Sequence, residues 1–294
     1  MTSIHRLPPP RGIDHLVIAA RDLDALAAHY RQLGFTVGPR NTHPWGTENH
    51  IVQMPGCFLE LIGVGHGAAI PEQTGRAYSF GGFVRDYLAQ SEGLAMLVLE
   101  SNNAIGDAED FRKAGIGNFE PFFFERSGIR ADGSVARVAF TLAFAKWRGV
   151  TGAGFFTCQQ HEPQNFWNPA VQTHENGVTG IARVTMVADD PSDMHEFLGA
   201  FIRQREMRAT SFGIELDTGR GIVEVLSRTA FRFRFGVEPP GSPALGPQFA
   251  AITFNCAKPS VVAAQQSGQP ITADKMGVIP AELATGVVLA FVGK

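Results

Sequence analysis

The sequence predicts an α+β fold made from one βαβββ unit used four times. Two observations carry this. The stretch "GIDHLVIAARD" at 12 returns as "GIARVTMVADD" at 180, with Gly, Ile, Ala and Asp at matching places. Each is followed by a helical stripe and then by short strands, and repetition of a supersecondary unit is a strong organisational signal. A third feature is the segment 161–180, rich in Pro, Asn and Gly. It reads as a linker that pairs the first unit with the second and the third with the fourth.

The first unit sets the order. "HLVIAA" is a strand, and Asp22 caps a helix in which Leu23, Leu26, Tyr30 and Leu33 recur at helical spacing until Gly34 ends it. "FTVG" is expected to resume as a strand, followed by a turn-rich loop "PRNTHPWGTEN" and the strands "HIVQM" and "CFLELIGV" around the turn Pro55-Gly56. The second unit starts at "LAMLVLES", with a helix near "AEDFRKAG" and strands "EPFFFER", "VARVAFTLAFA" and "GAGFFTCQQ". "ADGS" at 131–134 is the hairpin turn between two of them. In the third, Asp190-Pro191 starts a helix buried through Met194, Phe197, Leu198 and Phe201, and "FGIELDT" and "GIVEVLS" are strands. "FAAITFNC", a helix around "PSVVAAQQ" and final strands up to "GVVLAFVG" make the fourth.

Composition narrows the function classes. The chain has 294 residues, 44% hydrophobic and 18% charged, enough for two domains. Net charge is −3 without a Lys/Arg run, so neither nucleic acid nor an anionic membrane is an expected partner. "MTSIHRLPPPRG" lacks the apolar core of a signal peptide, and no apolar run approaches the ~18 residues of a membrane span. Three distant cysteines, Cys57, Cys158 and Cys256, form neither a disulfide framework nor a CxxC pair. The chain is read as soluble and cytoplasmic, with reduced thiols. Phenylalanine is abundant, 23 against three Trp and three Tyr. Core packing is the simpler reading of it, ligand stacking the other.

The four units, "GIDHLVIAARDLDALAAHYRQLGF" opening the first and "GCFLELIGV" closing it, resemble the vicinal oxygen chelate superfamily. "HPWGTEN", "FLELIG" and "CQQHEPQNFWNP" are similar to its glyoxalase-like members. The resemblance implies two domains, residues 1–165 functional and 166–294 degenerate, each an open U-shaped sheet with a metal or ligand in the cup. It also implies that His15, on the first strand, and Glu60, on the last, are ligands of a divalent metal ion. Zn, Fe, Mn, Ni and Co are not distinguished. Imidazole nitrogen plus carboxylate oxygen suits these ions. Read without the resemblance, His15 is a hydrogen-bonded core histidine and Glu60 a partner for arginine.

The other units offer less. Alignment places Met96 at the position of His15 in the second, with Cys158 at that of Glu60. In the third, Arg183 faces Glu224, which reads as an ion pair in place of a metal. In the fourth, Ala251 and "VVLAFV" offer no ligand. Extradiol dioxygenases keep their iron ligands in the second pair, so that activity is rejected.

Two loops carry further candidates. "HPWGTENH" at 43–50 gathers His43, Trp45, Asn49 and His50; Trp45 and Asn49 are read as substrate-binding and His43, with Glu60, as catalytic acid/base. In "CQQHEPQNFWNP", Gln160, His161 and Trp167 orient and stack on a ligand, or the segment is a strap pinned by its aromatics. "YSFGGFVRD" at 78–86 is an aromatic-and-Gly loop, read as plain surface in preference to a ligand loop with Arg85 as an anion contact. No Walker A, GxSxG or HExxH motif occurs.

Two functions follow from the resemblance. One is a metal-dependent lyase or isomerase acting on a small oxygenated substrate through an enediolate-like oxyanion. The other is a small-molecule-binding protein of the bleomycin-resistance type. A homodimer is compatible with either.

Overall fold

The computed structural model describes residues 9–130, 132–148, 152–257 and 276–293. The first unit runs β1 (Ile13–Ala19), α1 (Leu23–Gln32), β2 (Asn41–Thr42), β3 (Thr47–Met54) and β4 (Cys57–Val64). Helix α2 (Phe80–Gln90) leads to β5 (Gly93–Glu100), α3 (Ala104–Lys113), β6 (Phe122–Ile129), β7 (Val135–Ala145) and β8 (Gly154–Gln160). The short α4 (Pro163–Phe166) crosses to β9 (Val178–Val187), α5 (His195–Ile202), β10 (Arg208–Thr210), β11 (Gly213–Asp217) and β12 (Ile222–Leu226). Helix α6 (Arg228–Phe235) precedes β13 (Gln248–Cys256), β14 (Gly277–Ile279) and β15 (Val288–Val292).

Among the described residues the strands form two mixed sheets, ordered β2-β3-β4-β1-β5-β8-β7-β6 and β10-β11-β12-β9-β13-β15-β14. Within a unit the first strand lies parallel to the last, as β1 with β4 and β9 with β12. Between units the two first strands pair antiparallel, as β1 with β5 and β9 with β13. The first sheet is therefore two βαβββ units joined at their first strands. In the second sheet the unit that opens with β9 is complete, and the described residues of the fourth supply β13, β14 and β15 in the matching places.

Alternation explains why "CFLELIGV" is apolar throughout. Leu59 and Leu61 face the main core, while Phe58, Glu60 and Ile62 face the hollow of the first sheet. The main core takes Leu26 and Tyr30 of α1, Phe111 of α3 and Phe201 of α5 together with strand residues of both sheets. Ring pairs such as Phe155–Phe197, 4.8 Å between centroids, and Phe35–Phe254, 5.5 Å, cross from one half to the other. Each such buried aromatic contributes about 1.5–3 kcal/mol, so the halves hold one another. Buried Arg11 adds a polar tie, donating to Asp107 at 2.6 Å and to the Phe201 carbonyl at 2.6 Å.

Three expectations need correction. "FTVG" is not a strand: Phe35 turns into the core against Tyr30 and Phe254, and edge pairing starts only at β2, where Asn41 faces Asn49. Residues 78–86 are not a loop. Ser79 caps α2 by accepting from the Gly82 N–H, and Arg85 is engaged by Glu72 and Asp86 on the surface rather than free for a ligand. Gly81 and Gly82 weaken the helical signal, but Gly81 is needed for packing: a Cβ there would lie 2.5 Å from the Trp45 carbonyl oxygen. The third is α6, which went unpredicted. The helix expected around "PSVVAAQQ" lies outside the described residues. In the "ADGS" turn, Asp132 accepts from the Ser134 N–H and hydroxyl; Ala131 lies outside the described residues.

The two hollows differ. That of the second sheet is filled by α6, with Phe231 and Phe235 buried against Val187, Ala251 and Val288. In the first, α2 covers part of the sheet through Val84 and Leu88, and a cavity remains.

Candidate functional site

The cavity of the first sheet holds about 480 Å³, counting the space at its mouth. Its walls are aromatic, with Trp45, Phe58, Phe124, Phe140, Phe156 and Phe166 among them, and its polar floor is His15, His43, Asn49 and Glu60. In the β1/β4 register His15 faces Phe58 and Val17 faces Glu60. The imidazole of His15 stacks on Phe58 at 4.2 Å, which sends Nε2 toward the Glu60 carboxylate, 3.8 Å from Oε2.

Asp14 fixes that imidazole. Neighbours on a strand normally point to opposite faces. Here the β1/β5 register slips between Ile13 and His15, leaving Asp14 as the extra residue of a bulge. Its Oδ1 lies 2.6 Å from His15 Nδ1, and its Oδ2 accepts from Gln160 Nε2 at 2.9 Å. A carboxylate only accepts, so Nδ1 carries the proton and Nε2 presents its lone pair in the neutral tautomer. The same slip recurs in β9/β13, between Thr253 and Phe254, where Ala182 takes the place of Asp14.

Glu60 is 6% exposed. Among the described residues it has no lysine or arginine within ion-pair distance. Asn49 Nδ2 donates to its Oε1, and Asn41 donates to Asn49 Oδ1 at 3.0 Å, which fixes the amide with its NH2 toward the cavity. His43 closes the other side, its Nε2 lying 3.9 Å from Glu60 Oε1 and 3.3 Å from Asn49 Nδ2. His43 Nδ1 meets Thr47 Oγ1 at 2.8 Å, and its ring stacks on Trp45 at 4.5 Å. Burial lowers the His43 pKa below the usual histidine value against the pull of Glu60, with Arg126 adding to the depression. His43 is thus a neutral imidazole at neutral pH, with Nε2 turned to the cavity.

Glu224 occupies the equivalent slot in the second half and meets the opposite fate. It accepts from Arg183 at 2.7 Å, Arg234 at 2.6 Å and Thr185 at 2.6 Å, and is fully buried. Arg183 also binds Glu215 at 2.8 Å. The Arg183–Glu224 pair expected from sequence is present, and Arg234 of α6 completes it. The charge problem is closed there by ion pairs and left open at Glu60.

The other sequence candidates are dispersed. Gln160 touches Asp14 rather than the cavity. His161 is exposed on the far side, bonded to Thr141 at 2.7 Å and edge-on to Phe123. Trp167 packs on Phe58 and Phe166, and Gln53 holds the same segment through the Phe166 carbonyl and the Asn168 N–H. The 163–168 segment is therefore both a strap and, through Phe166, part of the cavity wall. His50 lies away from it, bonded to the Gly38 carbonyl at 2.8 Å. The alignment of Cys158 with Glu60 is two residues out. Met96 faces Gly154 as His15 faces Phe58, so Phe156 takes the Glu60 slot. Cys158 still lines the cavity, but burial holds its thiol well above the usual range. Asp14 and Arg126 were missed; the adjacent Asp-His of "GIDHL" was the available signal for the first.

The donor chemistry fits two positions of a divalent metal site. A nitrogen lone pair and a carboxylate facing each other at 3.8 Å call for a proton or cation between them, and a carboxylate behind the imidazole is the usual support of a metal-bound histidine. The set is incomplete: among the described residues no group of three or more His, Cys, Asp or Glu is placed to hold a metal ion. Catalytic zinc sites commonly have three protein ligands.

The two sheets built from paired units are the architecture of the vicinal oxygen chelate class. Within it, the chain belongs to the glyoxalase-like domain family, whose model matches residues 13–202. A hypothetical protein from Staphylococcus aureus has a similar structure, with TM-score 0.67 and 12% identity over 96% of this chain and 99% of that one. A mutant of 4-hydroxymandelate synthase from Streptomyces coelicolor follows at TM-score 0.51 and 13% identity, covering 87% of this chain and 74% of that one. At such identities the likeness concerns the fold. No curated protein matches the chain. No helix among the described residues is long and apolar enough to cross a membrane.

Proposed function

We propose that the cup of the first sheet is the active site of a metal-dependent glyoxalase-like lyase or isomerase acting on a small oxygenated organic molecule in the cytoplasm. In this reading residues 1–165 form the functional domain and 166–294 a degenerate copy that supports it. The observation that carries the reading is the facing of His15 Nε2 and Glu60 at 3.8 Å, with Asp14 behind the imidazole. His15 and Glu60 would hold the ion. When bound, the ion supplies a Lewis acid for negative charge developing on a substrate oxygen.

The chain's own residues do the rest. Asn49 holds one Glu60 oxygen, which leaves the other directed at His15. Neutral His43 has its Nε2 at the cavity and can accept a proton from a carbon or hydroxyl beside it. The aromatic walls surround the floor with apolar groups, and such surroundings strengthen each polar contact there. The missing third protein ligand favours a second reading, a binding protein that uses the same cup without chemistry.

Metal content separates the two. Protein purified without chelator should carry a divalent ion in near-stoichiometric amount, lost in His15→Ala and in Glu60→Ala. Metal-free wild-type protein that keeps ligand binding in the cup would support the binder instead.

A further inference from the structure

We propose that Arg126 is the anchor for a substrate carboxylate, which makes the ligand of this cavity a small carboxylic acid with an aromatic or branched apolar body. The inference rests on the cup being the ligand site and adds the class of ligand that it takes.

Strand β6 lies at the edge of the first sheet and alternates. Phe123 and Glu125 point outward and are exposed, while Phe122, Phe124 and Arg126 form the inward row. Phe122 and Phe124 sit edge-on to Trp45 at 5.2 and 4.8 Å. Arg126, facing Val138 across the β6/β7 ladder, places a guanidinium in a largely aromatic wall.

That guanidinium lacks a counter-ion. Among the described residues no carboxylate lies within ion-pair distance of it, and its one hydrogen bond goes to the Ser127 carbonyl at 3.2 Å. The cavity's own carboxylate, Glu60, is already served by Asn49 and flanked by two histidines. The second half shows the alternative: Arg183 and Arg234 are both engaged by Glu224. A half-buried cation without a partner is costly, and here burial does lower the Arg126 pKa, with Glu60 pulling it up from a distance. A ligand carboxylate removes that cost, because the planar fork of arginine matches it bidentately. The rings beside Arg126, above all Phe124 and Phe140, which stack at 5.0 Å, suit an apolar body. The limited space between these walls restricts that body to a small molecule. With its carboxylate on Arg126, such an acid shares the cavity with His15, Glu60 and His43.

The test compares phenylacetate with its neutral isostere phenylacetamide by titration calorimetry on chelator-treated protein. Wild type should bind phenylacetate about 10- to 100-fold more tightly than the amide. Arg126→Gln should erase that preference by weakening the acid alone, and Arg126→Lys should restore part of it. Circular dichroism melts establish that each variant is folded. Equal binding of acid and amide, equal loss of both in Arg126→Gln, or no saturable binding of either would overturn the proposal. Metal analysis runs separately: a metal-free protein with the preference intact refutes the enzyme reading and leaves this inference standing. A metal-bearing protein without the preference does the reverse.

Discussion

Glu60 and Glu224 are a natural controlled experiment, one carboxylate slot in two environments. Consider Glu→Gln at each, in chelator-treated protein at pH 7.5. At Glu224 the change removes an anion that accepts from two guanidinium groups and a hydroxyl. Burial pushes the Glu224 carboxyl up despite its arginines, so the assembled cluster is close to break-even against an apolar core. Removing only the anion is another matter, because Arg183 and Arg234 are left side by side. Arg183 keeps Glu215, which reduces the damage. The expected loss is about 2–4 kcal/mol, below the ~3–5 kcal/mol of a fully stranded buried pair. At Glu60 the same change removes a buried charge without a cationic side-chain partner, and Gln can still accept from Asn49. The expected effect is within about 1 kcal/mol of zero and is most simply stabilising. Thermal melts followed by circular dichroism read both. A Glu60→Gln variant destabilised as much as Glu224→Gln would refute the reasoning, because Glu60 would then be a structural charge with an unrecognised partner.

Three further outcomes follow from the same geometry. Asp14→Asn should leave the fold intact while weakening divalent-metal binding about 10- to 100-fold by calorimetry, since the imidazole loses its orienting carboxylate. His43 has a depressed folded pKa, so the unfolded chain takes up its proton first as pH falls. Its contribution to stability is present above its ordinary value of 6.5 and lost below it, and melts of wild type and His43→Gln should converge between pH 7 and about 5. Gly81→Ala should lower stability by roughly 1–3 kcal/mol, because the new Cβ meets the Trp45 carbonyl and overpacking outweighs the helix-propensity gain.

The repeat was legible because its signal is periodic and doubled: matching strands, caps and apolar stripes at 12 and 180 specify one unit, and units of this kind pair. His15 and Glu60 were legible only through resemblance, since 45 residues separate them and nothing local states that β1 lies parallel to β4. The Arg183–Glu224 pair came from the same alignment. Other features were hidden for physical reasons. The role of Asp14 depends on a bulge, and strict alternation would have turned it away from His15. Helix α2 was masked by two glycines, of which Gly81 is required for close packing on Trp45, a tertiary need that overrides local propensity. Arg126 sat unnoticed at the end of "EPFFFER" because the three phenylalanines dominated the reading, although alternation already placed it in their inward row. Gln160 and His161 are adjacent in sequence, yet the end of β8 sends one to Asp14 and the other to the outer surface.

The facing of His15 and Glu60 is tested most directly by a crystal structure of protein purified without chelator, with anomalous scattering recorded across the edges of the first-row metals. A divalent ion bound by His15 Nε2 and Glu60, with Asp14 still on Nδ1, is the expected result. Strong, well-ordered density for the side chains with no ion between them, or Glu60 swung onto Arg126 as an ion pair, would contradict it.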